Sequence, residues 1–430
     1  MGWLLGGEIR GRIRGKVPTT FLTGRHILAP GGFRIFASRE APYPARQGVN
    51  PEYPMKRKLT LIACLATAAV MAPASASVAS DRDHRHEPEA TELAGGLVSP
   101  LHLAVGTNKS VLVTQDFAGK LSRVNRDKTV TNIYQAAAGF GVAGVETRGA
   151  TTFFLETAGA GSPNPAELKG FLKAINPRGD VRQIADLAEH ERKNNPDAGQ
   201  EYGFGRDAST KCLDQAAAIA DAPPARYNGA LDSNAYATAV QGNTAYVADA
   251  GANAVLKVNI HSGAVSTVAV LPPRPSVLTA DAAAALKAPD CANFKYAFEP
   301  VPTDVEIGPD GWLYVTSLPG GPEVPGLGAR GAVFKINPWT GHTRLWVDGI
   351  LSPTGLAVAN TGDVYVASLF GNEILKFSAW KGHRSVFLPV PAPADVEVHG
   401  RTLYATVDAF NPTAPPPPPA EGRVIKADIR

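Results

Sequence analysis

Several absences bound what this chain can be. It has three cysteines in 430 residues, Cys64, Cys212 and Cys291, and no CxxC pair. A disulfide-dense scaffold and a CxxC redox centre are thereby excluded. No nucleophile elbow and no P-loop occurs, so neither serine-hydrolase nor nucleotide-phosphate chemistry is signalled. The strongly apolar run Leu59–Ala72 has 14 residues, short of the ~20 needed to span a bilayer. Charge is modest at 19% and nearly balanced, with 42 Lys/Arg against 39 Asp/Glu. A hydrophobic content of 44% makes a substantial core possible, and 43 Gly with 36 Pro favour many turns and short strands.

What charge there is has an uneven address. Residues 1–54 carry eight basic and three acidic residues, are rich in Arg, Gly and Pro, and show no sustained period. Met55 then opens "MKRKLTLIACLATAAVMAPASASVAS". Lys56, Arg57 and Lys58 precede the apolar run, and the small residues around Ala74–Ala76 and Ser77–Ala79 follow it. A basic segment, a short apolar segment and an A-x-A-like site describe a secretory signal peptide over 55–79. Because such a signal cannot act from position 55, residues 1–54 are read as upstream sequence translated in error, or else a disordered basic arm. "LIAC" at 61–64 resembles a lipobox, but few apolar residues precede Cys64, so cleavage is the expectation. Residues 80–430 then hold 31 basic and 36 acidic residues, a net of −5. No nucleic-acid reading survives that subtraction. The expected mature protein is secreted, monomeric and without a transmembrane segment.

In an exported protein Cys212 and Cys291 are expected to pair, with two buried free thiols as the alternative.

The region after a short leader (80–89) repeats. Pro353–Val358, Val364–Ala367 and Glu373–Phe377 have counterparts in Pro302–Ile307, Leu313–Thr316 and Ala332–Ile336. Further copies begin at Leu101, Gly144, Ala237 and Pro393. Each segment alternates apolar and small or polar residues between Gly/Asn/Asp/Pro turns, the mark of strands. A fourth strand, such as Thr343–Val347, closes most copies. Four antiparallel strands repeated six times predict an all-β, six-bladed β-propeller over 90–430. The last copy stops after its third strand, so the strand-like Ala90–Ala94 is expected to complete it and close the ring. Turns on one face are short. The other face carries the long connections, 158–169, 188–231, 271–299, 318–330 and 408–422, and is the expected binding face. "NPTAPPPPPAEG" on that rim reads as a stiff spacer rather than a polyproline ligand.

Aligned first strands alternate. Glu146, Glu306 and Glu397 stand where the other three copies have Ala104, Ala239 and Ala357. If these strands line a channel, three carboxylates converge, and a hard cation such as Ca²⁺ or another divalent ion would relieve their repulsion. The competing expectation is that each Glu bonds backbone N–H groups or an Arg at a sheet interface. Two positions earlier stand His102, Asp304 and Asp395, able to join a metal site or act as acid and base. Tyr236, Thr354, Asp304 and Asp395 are expected to contact a ligand at the rim. His261, His342, His383 and His399 fall in or beside the opposite, short turns; His84 and His86 fall in the leader. Asp249 ends a strand and is expected to hold the following turn. "GDVRQIADLAEHERKNNP" (179–196) reads as a short helix carrying no site.

"VADAGANAVLKVN", "YAFEPVPTDVEIGPDGWLYVTSLPGGPE", "LGARGAVFKINPWTG" and "PTGLAVANTGDVYVASLFGNEILKF" together resemble the ScyD/ScyE family of exported bacterial proteins. The resemblance implies an NHL-like or TolB-like six-bladed propeller and supplies no catalytic residues. Where the family pattern reads "DSNPY", this chain has "DSNAY" at 232–236. A weaker similarity to gluconolactonase-like propellers implies a divalent metal over the channel, although their Asn ligand has no matching position here. Two functions follow as expectations. One is a module binding a small molecule or an extracellular protein through its long-loop face. The other is a metal-dependent lactone or ester hydrolase. A quinoprotein dehydrogenase is disfavoured by the placement of the histidines.

Overall fold

The computed structural model describes residues 88–106, 108–219, 222–321, 325–379, 382–411 and 418–429. The proposed upstream segment, signal peptide, most of the leader with His84 and His86, and the tip of the Pro-rich loop lie outside them.

The chain opens with β1 (Thr91–Leu97). The first repeat forms β2 (His102–Val105), β3 (Val111–Gln115), β4 (Lys120–Val124) and β5 (Val130–Gln135). The second forms β6 (Gly141–Arg148), β7 (Thr151–Ala158), β8 (Lys169–Ile175) and β9 (Val181–Asp186). A long connector then holds helix α1 (Leu187–Asn194), β10 (Glu201–Phe204), α2 (Thr210–Ala217) and β11 (Arg226–Asn228). The third repeat is β12 (Ala235–Gln241), β13 (Thr244–Asp249), β14 (Ala254–Asn259) and β15 (Val265–Val270). A second connector holds β16 (Arg274–Val277), α3 (Ala280–Ala285) and β17 (Lys295–Phe298). Then come β18 (Pro302–Ile307), β19 (Leu313–Ser317), β20 (Gly331–Ile336) and β21 (Thr343–Ile350). The fifth repeat is β22 (Pro353–Val358), β23 (Val364–Ser368), β24 (Glu373–Phe377) and β25 (Arg384–Pro389). The chain closes with β26 (Asp395–His399), β27 (Thr402–Val407) and β28 (Gly422–Asp428).

Each repeat is a four-stranded antiparallel meander, and the last is completed by β1 pairing with β28. The closing strand runs Thr91–Leu97, a little beyond the Ala90–Ala94 expected, and leaves β28 no free edge. The first strands pack side by side in a closed order: β2, β6, β12, β18, β22, β26 and back to β2. This arrangement is a β-propeller. Middle strands such as β3, β19 and β23 are buried at every residue because a neighbouring sheet covers each face. Outer strands such as β5 and β25 are exposed or half-buried at nearly every residue. The core lies between consecutive sheets, as where Phe153, Leu155 and Leu172 meet Val247, Leu256 and Val258.

Glycine decides how closely two of the first strands approach. A Cβ on Gly144 would lie 2.6 Å from the Ala237 Cα and 2.9 Å from the Thr238 N. A Cβ on Gly355 would lie 2.6 Å from the Asp395 Cα. Backbone atoms cannot yield as a flexible side chain can. Gly144→Ala should therefore cost about 2 kcal/mol or more by forcing β6 and β12 apart. Urea unfolding checks this: an unchanged midpoint would show that the contact is not limiting.

The two connectors flanking β12–β15 form a further sheet, in the order β11–β10–β17–β16. The expectation that a disulfide unites them holds: Cys212 of α2 is bonded to Cys291, with Cα atoms 4.6 Å apart and a sequence separation of 79. Cys212 and Cys291 pack with Phe204, Leu278, Ala282 and Phe298 in a core separate from the ring. At Ala235, where the family pattern has Pro, the bond that closes the strand's start still forms, from the Ala250 N–H to the Asn234 carbonyl at 2.9 Å.

Candidate metal centre in the channel

The ring brings the three alternating glutamates together. Each of Glu146, Glu306 and Glu397 offers a carboxylate oxygen, and these three oxygens lie within 4.8 Å of one another. They come from β6, β18 and β26, every second repeat, so the convergence follows from the period. Alanine at the intervening positions, Ala104, Ala239 and Ala357, is buried and leaves the lumen to the carboxylates.

Little compensates this negative charge. The Glu146 Oε1 accepts from the Thr147 N–H, and the Val398 N–H favours ionisation of Glu397. Glu306 feels chiefly burial and the charges of Glu397, Glu146, Asp304 and Asp395. No Lys or Arg is among the groups acting on any of the three. Burial first, and mutual repulsion second, push Glu306 and Glu397 well above the ordinary carboxylate range, and Glu146 to about 7. Of the expected alternative, backbone N–H groups or an Arg at a sheet interface, the first holds for Glu146 and Glu397, and no Arg acts on the three.

The aspartates one layer above act differently. Asp304 accepts from the Val305 N–H on its own strand and from the Leu356 N–H on β22, at 2.7 and 2.6 Å. Asp395 repeats this with Val396 and with Leu103 on β2, both at 2.8 Å. Each thus ties one first strand to the next, and Asp395 does so across the ring's closure. Gly144 holds the corresponding place in the second repeat and supplies no carboxylate.

At that gap lies a cavity of ≈ 10 Å³, lined by His102, Gly144, Thr238, Asp304, Glu306 and Glu397 among others. This is room for about one water or one bare ion. His102 is 3% exposed, and its Nε2 meets no hydrogen-bond partner. Burial lowers its pKa to about 3, so the ring is neutral and its free nitrogen is a lone pair or an N–H, not a cation. Its edge packs on Tyr236, with ring centroids 4.5 Å apart.

The residues expected at a ligand rim all sit at this end but are covered: Tyr236 is 2% exposed, Thr354 3%, and Asp304 and Asp395 6% each. Asp116, unremarked in the sequence, joins them. It is buried, its Oδ1 lacks a partner, its charge acts on Tyr236, and burial raises its pKa to about 7. Only its place directly after a repeat's second strand could have pointed to it. Asp249 holds its turn as expected through the Ala252 N–H, and also binds the Asn234 N–H and the Ser233 hydroxyl.

No protein-family model and no curated protein matches the chain. Among solved structures, it is similar to virginiamycin B lyase from Staphylococcus aureus, at 14% identity over 74% of this chain and 82% of that one, TM-score 0.42. It is similar to the PQQ-bound aldose sugar dehydrogenase of Streptomyces coelicolor, at 12% identity over 80% and 98%, TM-score 0.47. A gluconolactonase from Xanthomonas campestris matches at 10% identity over 80% and 90%, TM-score 0.45. At such values the likenesses transfer no substrate and no cofactor to this chain.

Proposed function

We propose that this chain is an exported six-bladed propeller of the ScyD/ScyE type that holds a divalent cation on its axis and binds its ligand through the long-loop face. The observation that carries the cation is the convergence of Glu146, Glu306 and Glu397 within 4.8 Å. The unpartnered His102 Nε2, lining the cavity beside them, is a second group in want of a ligand or a bound water. Three carboxylate oxygens suit a hard cation that accepts several oxygen ligands, with Ca²⁺ the first choice.

The long-loop face offers a place for a ligand. A groove of ≈ 420 Å³ runs over the disulfide-tied sheet, lined by Tyr202, Phe204, Arg206, Arg226, Tyr227 and Lys295, with Glu201 and backbone also contributing. That is within the usual range for a small-molecule site, and three cations against one carboxylate favour an anionic ligand. The hydrolase reading would use the same axial cation as its Lewis acid. It also requires a path for substrate to that cation. Tyr236, Thr354, Asp304 and Asp395 at the long-loop end are each at most 6% exposed, which favours the binding reading.

Metal analysis after dialysis against Ca²⁺ tests the proposal. The Glu306→Ala variant should retain one equivalent fewer than the wild type and lose the part of its thermal stability that Ca²⁺ confers there. Equal metal content and equal stability in the two proteins would sink the axial cation. A lactone and ester screen, run with and without Ca²⁺, separates the two functions: Ca²⁺-dependent turnover would favour the hydrolase.

A further inference from the structure

A second set of oxygens lacks partners, far from the glutamate triad in sequence and in type. Glu191 is 1% exposed, and neither of its carboxylate oxygens meets a hydrogen-bond partner. The same holds for the Oδ1 of Asn195, of Asp197 and of Asn234, the last two residues being 2% and 4% exposed. All five atoms are acceptors. Protonation could relieve a carboxylate; the amide oxygens of Asn195 and Asn234 do not titrate and need a donor or a cation.

Local structure brings these residues together. Glu191 lies on the inward face of α1, whose helix ends at Asn195 in a left-handed conformation, φ 37°, with the Asn195 N–H on the Glu191 carbonyl at 2.8 Å. The Asn195 side-chain amide donates to the Gly229 carbonyl, and a Cβ at Gly229 would lie 2.1 Å from the Asp197 Oδ1. The other oxygen of Asp197 is already taken, by the Tyr202 hydroxyl at 3.0 Å and the Asn253 amide at 2.9 Å. That fixes the carboxylate with Oδ1 left over. Asn234 is held by its N–H to Asp249, 2.7 Å away. Asp249, Asp197 and Asp232 are the charges that bear on Glu191, with no Lys or Arg among them, and the Asp232 N–H approaches it without hydrogen-bond geometry. Asp232 and Asp249 are otherwise engaged, with the Gly161 N–H and with Ser233, Asn234 and Ala252.

We infer that Glu191, Asn195, Asp197 and Asn234 form a second hard-cation site, of the Ca²⁺ class, at the root of the disulfide-tied insertion. Two carboxylates and two amide carbonyls are the oxygen donors that Ca²⁺ accepts at irregular geometry, and both Glu191 oxygens lack a partner. Mg²⁺, which demands a near-ideal octahedron and retains its waters, fits this dry donor set less well. The cation joins α1 and the 195–197 strap to the "DSN" segment that leads into β12. It would therefore clamp the insertion to the ring.

The site goes beyond the axial cation, and its test separates the two. In the Glu306→Ala background the axial ion is gone, and one Ca²⁺ per chain should remain by elemental analysis. Adding Glu191→Gln should reduce this to none. At a hundredfold excess over its Kd, Ca²⁺ should raise the Tm of the Glu306→Ala protein by about 4 °C. A second measurement needs no variant: hydrogen exchange of the wild-type protein should rise on chelation at 191–200 and 229–235. A Glu306→Ala protein that holds no Ca²⁺, or unchanged exchange in those segments, overturns the site and leaves an ordered water among the oxygens. Equal binding of one ion by wild type and Glu306→Ala, with the exchange change present, would instead overturn only the axial reading.

Discussion

Removing divalent cations should destabilise this protein at pH 8 far more than at pH 5. The sign follows from the channel carboxylates. Their pKa values in the fold are raised, Glu146 and Asp304 to about 7 and Glu306, Glu397 and Asp395 well above the ordinary range. Between pH 4.5 and 7 the ion-free fold therefore binds more protons than the unfolded chain, and its stability falls as pH rises. Glu146, raised to about 7 from an ordinary 4.5 chiefly by burial, adds to this loss as pH rises. His102 works the other way. Its pKa is lowered to about 3, so it contributes stability that is full above pH 6.5 and lost as pH falls below that value. One imidazole against several carboxylates leaves the net slope negative. A bound cation stabilises the ionised carboxylates and flattens the slope. Thermal melts from pH 5 to pH 8, with Ca²⁺ and with chelator, should diverge as pH rises. Replacing Glu146, Glu306 and Glu397 by Gln should close most of that gap. Parallel melts for the wild type would show that these carboxylates do not titrate in the fold.

Loss of the disulfide should be the largest covalent effect. Cys212→Ser with Cys291→Ser frees a loop whose ends are 79 positions apart, which in the chain-entropy model costs about 4.5 kcal/mol. The insertion's own core is small, built around Phe204, Leu278, Ala282 and Phe298, so it has little to replace the bond. The expected outcome is a lower urea midpoint with early loss of α2, β16 and β17 by hydrogen exchange, while β12–β15 keep their protection. Both sulfurs are fully buried, so reductant on the folded protein should act slowly and only through opening. A double-serine variant with an unchanged midpoint would show that packing alone holds the insertion.

The ring was readable because its information is periodic. Strand alternation, turn residues and an unpaired last repeat point to β1 closing on β28, and the Glu/Ala alternation points to the triad. What escaped the sequence is aperiodic. Asp304 and Asp395 look like ligand contacts in a row of aligned strands; that each reaches a backbone N–H of the next sheet depends on how closely the sheets approach. The sheet β11–β10–β17–β16 is woven from two connectors separated by the whole third repeat, β12–β15, and its strands are only three or four residues long. The helix α1 is legible, yet the burial of Glu191 beside Asp197, Asp232 and Asp249 comes from distant parts of the chain meeting in the fold. No spacing within any one of them encodes that meeting.

The central claim concerns one point in space, the axis between Glu146, Glu306 and Glu397. Crystals equilibrated with Ca²⁺, or with Mn²⁺ for a stronger signal, would locate the ion by anomalous diffraction. The account predicts a peak on the axis in contact with all three carboxylates, absent from crystals of Glu306→Ala. A wild-type map with no peak between these three side chains would contradict it.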